Sequence, residues 1–308
     1  MLSPANPHGV AVVGSGSDAR YVIERFLLRQ DFRLVRTSDH GSSALFQDLL
    51  NDEYVSLIYA TDCCGSNLLE TGLPAALRAK KHLVLRSGVV PDPARLRHLA
   101  ECVTDDTVAI VDEPQRWDED FLSARSLIDA GKLGSLKRIR FATHELAFPG
   151  ELFPQGVLRD LGLHVLDQLL ALVNDTPVSY RLRRCCDVAD NREDGFVAIL
   201  EFAGGASALV EIQTRSLLSS RSGWYLEGTT GAYRNGRLYT RTPDGEIVDE
   251  PIEQRVESRD PFLDALSAAL RGDQSARSQL VSLSHAAGVQ DVINALVESS
   301  GRDCGGSR

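Results

Sequence analysis

A two-part α/β chain is predicted: a doubly wound parallel sheet, then an α+β part built on an open, mainly antiparallel sheet. Three observations carry this. The first third alternates short apolar runs with helical patterns. The middle is a series of strand-like runs separated by hairpin residues. The length, 308 residues, suits two domains at about 150 residues each. The expected division is residues 1–115, residues 116–302 and a disordered tail, 303–308.

The elements follow in order. Val10–Val13 reads as a buried strand. Arg20–Arg29 carries apolar residues at Tyr21, Val22, Ile23, Phe26, Leu27 and Leu28, a wide helical face. Phe32–Val35, Val55–Ala60, His82–Leu85 and Thr107–Val111 read as strands, with helices at Ser43–Leu50, Leu68–Ala79 and Leu96–Cys102. Alternation of strand and helix argues for a parallel sheet, whose ligands sit beyond the carboxyl ends of its strands. After residue 115 the character changes. A helix from Phe121 to Ala130 stops at Gly131, Leu136–His144 reads as an exposed-face strand, and Val157–Leu172 is a helix stopped at Asn174-Asp175. Strands follow at Tyr180–Val188, Phe196–Phe202, Ala206–Thr214, Trp224–Leu226, Arg237–Thr240 and Ile247–Ile252. Asp190-Asn191, Gly204-Gly205, Asn235-Gly236 and Asp244-Gly245 are their turns. Helices at Phe262–Leu270 and Leu280–Val297 close the pattern.

Composition narrows the function. Hydrophobic residues make up 43% and charged residues 25% of the chain, the proportions of a globular protein. A formal charge of −10 with no basic run argues against wrapping nucleic acid or an anionic membrane. No apolar stretch approaches the ~20 residues of a membrane span, and the first residues lack the pattern of an export signal. A cytoplasmic protein is expected. The six cysteines (63, 64, 102, 185, 186 and 304) show no metal-ligand spacing and read as small hydrophobes, so no metal is expected.

Gly14-Ser15-Gly16-Ser17-Asp18-Ala19 follows the first strand and opens the first helix. The first glycine permits the tight turn. The second lets a pyrophosphate approach the backbone, and the small Ala19 allows close helix–sheet packing, as in a Rossmann dinucleotide fold. The helix N-terminus adds free N–H groups and partial positive charge. Asp39, beyond the second strand, is placed to take the ribose hydroxyls of NAD, whereas Arg36 with Thr37 and Ser38 suits the 2′-phosphate of NADP. NAD is favoured. Asp18 would repel a phosphate, so it is expected to face solvent or cap the helix.

Asp160-Leu-Gly-Leu-His164-Val-Leu-Asp167 is the most informative stretch. Four-residue spacing puts Asp160 and His164 on one helical face, with Asp167 a turn further. Gly162 leaves room for another chain or a ring. His164 is a proton carrier near neutral pH, which a carboxylate orients. Taken alone, the pair reads as readily as a helix cap beside a core histidine.

This stretch, Asp-x-Gly-x-His-x-x-Asp, resembles the signature helix of the glucose-fructose oxidoreductase/inositol dehydrogenase/MocA (Gfo/Idh/MocA) family. The glycine turn, Arg116-Trp117, Ile128-Asp-Ala-Gly-Lys-Leu-Gly134, Phe262-Leu-Asp-Ala-Leu and Val292–Ser300 match in the family's order over about residues 10–302. The resemblance implies an NAD- or NADP-dependent oxidoreductase that moves a hydride between nicotinamide and a sugar-like or polyol substrate. It makes His164 the acid/base, with Asp160 beside it binding substrate. It also implies a homo-oligomer formed through the second sheet's open face.

Two departures stand out. The family's Glu-Lys-Pro after the fourth strand is replaced by Arg86-Ser87-Gly88, which removes a lysine worth about 10²–10⁴-fold in rate if it transfers a proton. Arg86 can act there only electrostatically, and Ser87 is placed to hydrogen-bond the nicotinamide ribose. The usual Thr-Pro after the third strand is Thr61-Asp62. Arg116 and His144 are further substrate candidates, each equally readable as a surface group, while Trp224 and Tyr225 read as sheet packing. The lost lysine leaves open a family member that binds dinucleotide or sugar and acts through partners. Tightly held NAD in a non-redox reaction is also open.

Overall fold

The computed structural model describes residues 6–38, 43–61, 68–146, 153, 155–186, 193–252 and 258–300. The chain divides into two compact units, Met1–Glu113 with Ser258–Gly288, and Pro114–Glu257 with Val289–Arg308.

The first unit opens with β1 (His8–Val13), α1 (Gly16–Leu27), β2 (Phe32–Ser38), α2 (Ser43–Asn51) and β3 (Leu57–Ala60). A π-helical turn, Leu68–Gly72, runs into α3 (Leu73–Arg78); β4 (His82–Arg86), α4 (Pro93–Glu101) and β5 (Ala109–Asp112) follow. The strands pair in parallel in the order β5-β4-β3-β1-β2. Val10–Val13, Leu57–Ala60 and Leu83–Leu85 are at most 1% exposed, because a parallel sheet covered on both faces needs unbroken apolar runs. The apolar face of α1 is narrower than the sequence suggests. Ala19, Val22 and Phe26 are buried, whereas Tyr21, Leu27 and Leu28 are exposed. Helical periodicity puts only the first three on one side. Phe46, Leu49, Leu68, Leu73, Leu77, Leu96 and Leu99 from the helices pack one core.

The second unit begins with a 3-10 turn, Pro114–Trp117, and α5 (Glu119–Asp129), then β6 (Leu136–Leu146). A second π-helical turn, Leu158–Gly162, leads into α6 (Leu163–Val173). Then come β7 (Pro177–Cys186), β8 (Glu193–Phe202), β9 (Ser207–Gln213), β10 (Arg215–Gly228), β11 (Gly231–Arg234), β12 (Arg237–Arg241) and β13 (Ile247–Pro251). They form an eight-stranded sheet, β13-β12-β11-β10-β6-β9-β8-β7. All its pairings are antiparallel except β6 with β9. Phe196, Ala198 and Leu200 of β8 alternate inward to the core that α6 fills with Val165, Leu166 and Leu169. Gly131 (φ +68) and Asn174 (φ +48) end α5 and α6 in the left-handed region, as their positions in the sequence require. β10 is far longer than the three residues read as strand, and β11 was not foreseen.

The chain then forms α7 (Pro261–Leu270), α8 (Gln274–Gln279), β14 (Val281–Ser282) and α9 (Leu283–Ser300). The helix expected from Leu280 starts three residues later. Val281 and Ser282 instead pair antiparallel with Val111 and Ile110 of β5, closing the sheet edge. The 258–288 segment belongs to the first unit. Arg25 ties it there, with Nε and Nη2 donating to the two Asp260 oxygens (2.7 and 3.0 Å) and Nη1 to Asp112 (2.6 Å). Asp260 also caps α7 through the Leu263 amide. The Asp190-Asn191 turn and the 303–308 tail lie outside the described residues.

Candidate active site

The carboxyl edge of the first sheet gathers the predicted cofactor residues that are described, Gly14–Ser17, Thr61, Arg86 and Ser87. Gly14 and Gly16 hold φ of +140° and +76°, where an L side chain is strained. A Cβ built at Gly16 meets nothing within 4 Å, so the turn is open to an approaching group. The Gly14 amide donates to the Ser38 carbonyl (2.9 Å), fixing the turn to β2. Ser15 is the N-cap of α1 yet makes no side-chain cap bond, and Ser17 stands in the first helical turn. The first amides of a helix are the donor set that a pyrophosphate requires. Thr61, 3% exposed, donates its amide to the Val13 carbonyl at the end of β1 (2.9 Å). Asp39 and Asp62 lie outside the described residues. Arg36 Nε donates to Asp52 at 2.9 Å, and this pair, with the Tyr54 amide foremost, holds the Asp52 carboxyl below its usual range.

Asp18 makes no side-chain cap on α1; its side chain is half exposed and forms an ion pair with Arg86. Arg86, expected to act electrostatically at the lysine's position, is thus engaged by the glycine turn. Ser87 Oγ donates to Glu113 Oε2 at 2.6 Å, with Glu113 only 3% exposed. The hydroxyl expected at the nicotinamide ribose thus gives its proton to a carboxylate. Glu113 was missed, although its place directly after β5 is where the carboxyl-end rule would have found it.

In the second unit the signature stretch is not uniformly α-helical. Asp160 sits in the π-helical turn, its amide bonded to the Gly156 carbonyl (3.0 Å) and its carboxylate accepting from the Gln155 amide (3.1 Å). The four-residue spacing from Asp160 to His164 therefore crosses a change of helical pitch, a feature often found at functional sites. His164, in the first turn of α6, is partly exposed. Gly162 is where a ring comes close: a Cβ there would lie 2.8 Å from the Phe196 ring.

Arg116 is no surface group. Its Nε and Nη2 grip both oxygens of Asp167, the second at 3.1 Å, with side-chain exposures of 14% and 4%. Next to Asp167, buried Gln168 donates to the Gln115 carbonyl and accepts from Trp224 Nε1 (2.9 Å). Consecutive residues of α6 thus clamp the 3-10 turn on one side and the sheet on the other. Trp224 is 1% exposed, packed against Phe141 as expected. His144 Nε2 lies 3.3 Å from Glu211 Oε1 on β9, beside Arg140 at 3.4 Å from the same carboxylate. Among the described residues no group of His, Cys, Asp and Glu could hold a metal, and no helix is long and apolar enough to cross a membrane.

A doubly wound sheet with a glycine turn after its first strand, followed in the chain by a mainly antiparallel sheet, defines the class: an α/β unit joined to an α+β unit. Comparison with known proteins narrows it. Residues 121–234 match the GFO/IDH/MocA C-terminal domain. An uncharacterized oxidoreductase of Escherichia coli is 28% identical over 180 residues, 56% of this chain and 50% of its own length. The scyllo-inositol 2-dehydrogenase (NADP+) of Bacillus subtilis is 28% identical over 134 residues, 41% of this chain and 37% of its own. This chain thus aligns with half or less of either relative. The crystal structure of an NAD-binding protein from Listeria innocua shares the fold, with a TM-score of 0.73 at 20% identity over 96% of this chain and 95% of that one. Residues 121–234 thus resemble the GFO/IDH/MocA C-terminal domain, and the whole chain shares the fold of these oxidoreductases.

Proposed function

We propose that this protein is a nicotinamide-dependent oxidoreductase that transfers a hydride between the cofactor and a sugar-like or polyol substrate. The observation that supports the reading is the turn at Gly14–Gly16, two positive-φ glycines with open space at Gly16. Gly14, Ser15, Gly16 and Ser17 would hold the pyrophosphate, with Asp39 at the ribose and Thr61 beside the ring-bearing half. When bound, the nicotinamide supplies the hydride acceptor or donor. His164 carries the proton of the substrate hydroxyl, and Asp160, fixed by the Gln155 amide, binds substrate beside it. The bidentate hold of Arg116 on Asp167 orients this helix, so Arg116 supports the site through Asp167. His144 is a more remote substrate contact. NAD is preferred over NADP, since Asp52 engages the guanidinium of Arg36 that would otherwise meet a 2′-phosphate. The open face of the second sheet serves as the contact between copies.

A second reading has an observation of its own. With Arg86 on Asp18 and Ser87 on Glu113, the lysine position offers no proton donor of lysine's kind, which suits a protein that binds dinucleotide without turnover. One assay separates the two. Dinucleotide binding is measured by reduced-nicotinamide fluorescence, and turnover by absorbance over a panel of polyols and aldoses. Turnover that falls about 10²–10⁴-fold in His164→Asn with binding intact supports the enzyme. Binding without turnover across the panel supports the second reading, and no binding overturns both.

A further inference from the structure

The signature stretch begins without a cap of its own. The first amides of a helix have no partner inside it. Neither Val157, ahead of the π-helical turn, nor Gly162, ahead of α6, makes a side-chain cap bond. The amides of Arg159 and Asp160 turn back to the Gly156 carbonyl (3.1 and 3.0 Å). The amide of Leu158 is met from the sheet instead. Glu193, 35 residues further along at the start of β8, accepts from it through Oε1 at 3.2 Å. The second oxygen, Oε2, accepts from Arg184 Nη1 of β7 at 3.3 Å. With Arg184 on one oxygen and the Leu158 amide on the other, the carboxyl group of Glu193 is held from both ends.

Gly156 makes the approach possible. Its φ is +90°, and a Cβ there would lie 3.2 Å from Oε2 and 3.4 Å from Oε1 of Glu193. Any other side chain would push against the group that caps the turn. The same strand supports the stretch a second time, since the Phe196 ring leaves no room for a Cβ at Gly162.

The consequence falls on Asp160. Its amide is bound to Gly156, and its carboxylate accepts from the Gln155 amide (3.1 Å), so residues 155–160 close on themselves. Glu193 ties this closed segment to the sheet, and Arg159, donating to Asn294 Oδ1 at 3.1 Å, ties it to α9. We infer that Glu193 is a positioning residue: by capping the π-helical turn from β8, it holds the Asp160 carboxylate where substrate is bound. It acts through Asp160 and not by contact with the substrate. The inference rests on the proposed function and adds to it a residue outside the signature stretch.

The test follows oxidation of myo-inositol, D-glucose, D-xylose and D-sorbitol by the full chain with NAD or NADP, and carries the fastest combination through the variants. Glu193→Ala, and Glu193→Asp with its carboxyl one methylene short of the Leu158 amide, are expected to raise KM for the polyol or sugar about tenfold, with KM for the dinucleotide changed less than about twofold. Glu193→Gln keeps an oxygen for the amide and should stay within about threefold of the wild type. The aspartate variant keeps the test alive if Glu193→Ala fails to fold. A role in folding alone would lower the active fraction, so that kcat falls with both KM values unchanged. That result overturns the inference, as do unchanged kinetics in Glu193→Asp or a Glu193→Gln that matches it in loss. A wild type that oxidises none of the four with either dinucleotide loses the proposed function, and this inference with it.

Discussion

Each unit buries an arginine against an aspartate, and the two pairs do different work. In the second unit Arg116 meets one carboxylate, Asp167, in a two-pronged bond between residues 51 apart. In the first unit Arg25 is shared between Asp112, 87 residues away, and Asp260, 235 residues away, while Tyr59 donates to Asp112 at 2.6 Å. Arg25 also lies 5.2 Å from the Phe262 ring centre. Burial pushes the Asp112 carboxyl above its ordinary range, and the two carboxylates keep Arg25 charged against its own burial. The local pair orients one helix relative to its own turn. The distant one joins segments that the chain visits at its beginning, middle and end.

Breaking the distant clasp should cost the most. Arg25→Met leaves Asp112 buried without its cation and is expected to destabilise the protein by about 3–5 kcal/mol in chemical denaturation. A loss below 1 kcal/mol would show that the clasp is dispensable.

The next largest effect is set by pH. Burial foremost, then the charges of His8 and Arg277, lowers the His82 pKa to about 4; its Nδ1 accepts from the Val108 amide at 3.0 Å. As pH falls below 6.5, the unfolded imidazole takes up a proton that the native one refuses until about pH 4. Stability is therefore full above the unfolded value and declines between the two, by at most about 3 kcal/mol. Asp31, which burial would raise and the Arg29 hydrogen bonds draw down to about 2, loses its contribution only in a lower window, below its ordinary 3.8. A pH series of melting curves should find the upper decline flattened in His82→Asn, whose amide oxygen still accepts from Val108.

Arg116→Met should cost about 2–3 kcal/mol in the same denaturation series. If Arg116 supports the site through Asp167, it should also lower turnover more than it weakens dinucleotide binding. The smallest change concerns packing. Gly162→Ala presses a methyl on the Phe196 ring and is expected to cost about 2 kcal/mol; an unchanged melting temperature would show that the ring yields freely.

The comparison also explains what the sequence disclosed. Periodicity was enough for the parallel strands, since Val10–Val13 and Leu83–Leu85 are buried on both faces and admit no other reading. It was enough for the glycine turn, because positive φ leaves few residue choices. The stretch from Asp160 to His164 stood out by its residue types, but its change of pitch did not. Gly162 is the one residue there that weakens a helix, and nothing in its spacing specifies a π-helical turn. Arg116 and Asp167 were both visible as charges, but their pairing and its burial were not, since pairing is a tertiary fact. Arg25, Asp112 and Asp260 gave no local signal at all. The strand at Val281–Ser282 was hidden for a like reason: two residues carry no period, and only the free edge of β5 makes them a strand.

The distant clasp bears on how the molecule is made. Asp260 and the closing strand β14 leave the ribosome long after the glycine turn. Until they arrive, the sheet ends at a bare β5 and Arg25 lacks one of its two carboxylates. The amino-terminal half therefore waits through most of translation in an unfinished state, with a strand edge open to neighbouring nascent chains. Cutting the gene after residue 113 to obtain a free-standing nucleotide-binding module would make that transient condition permanent.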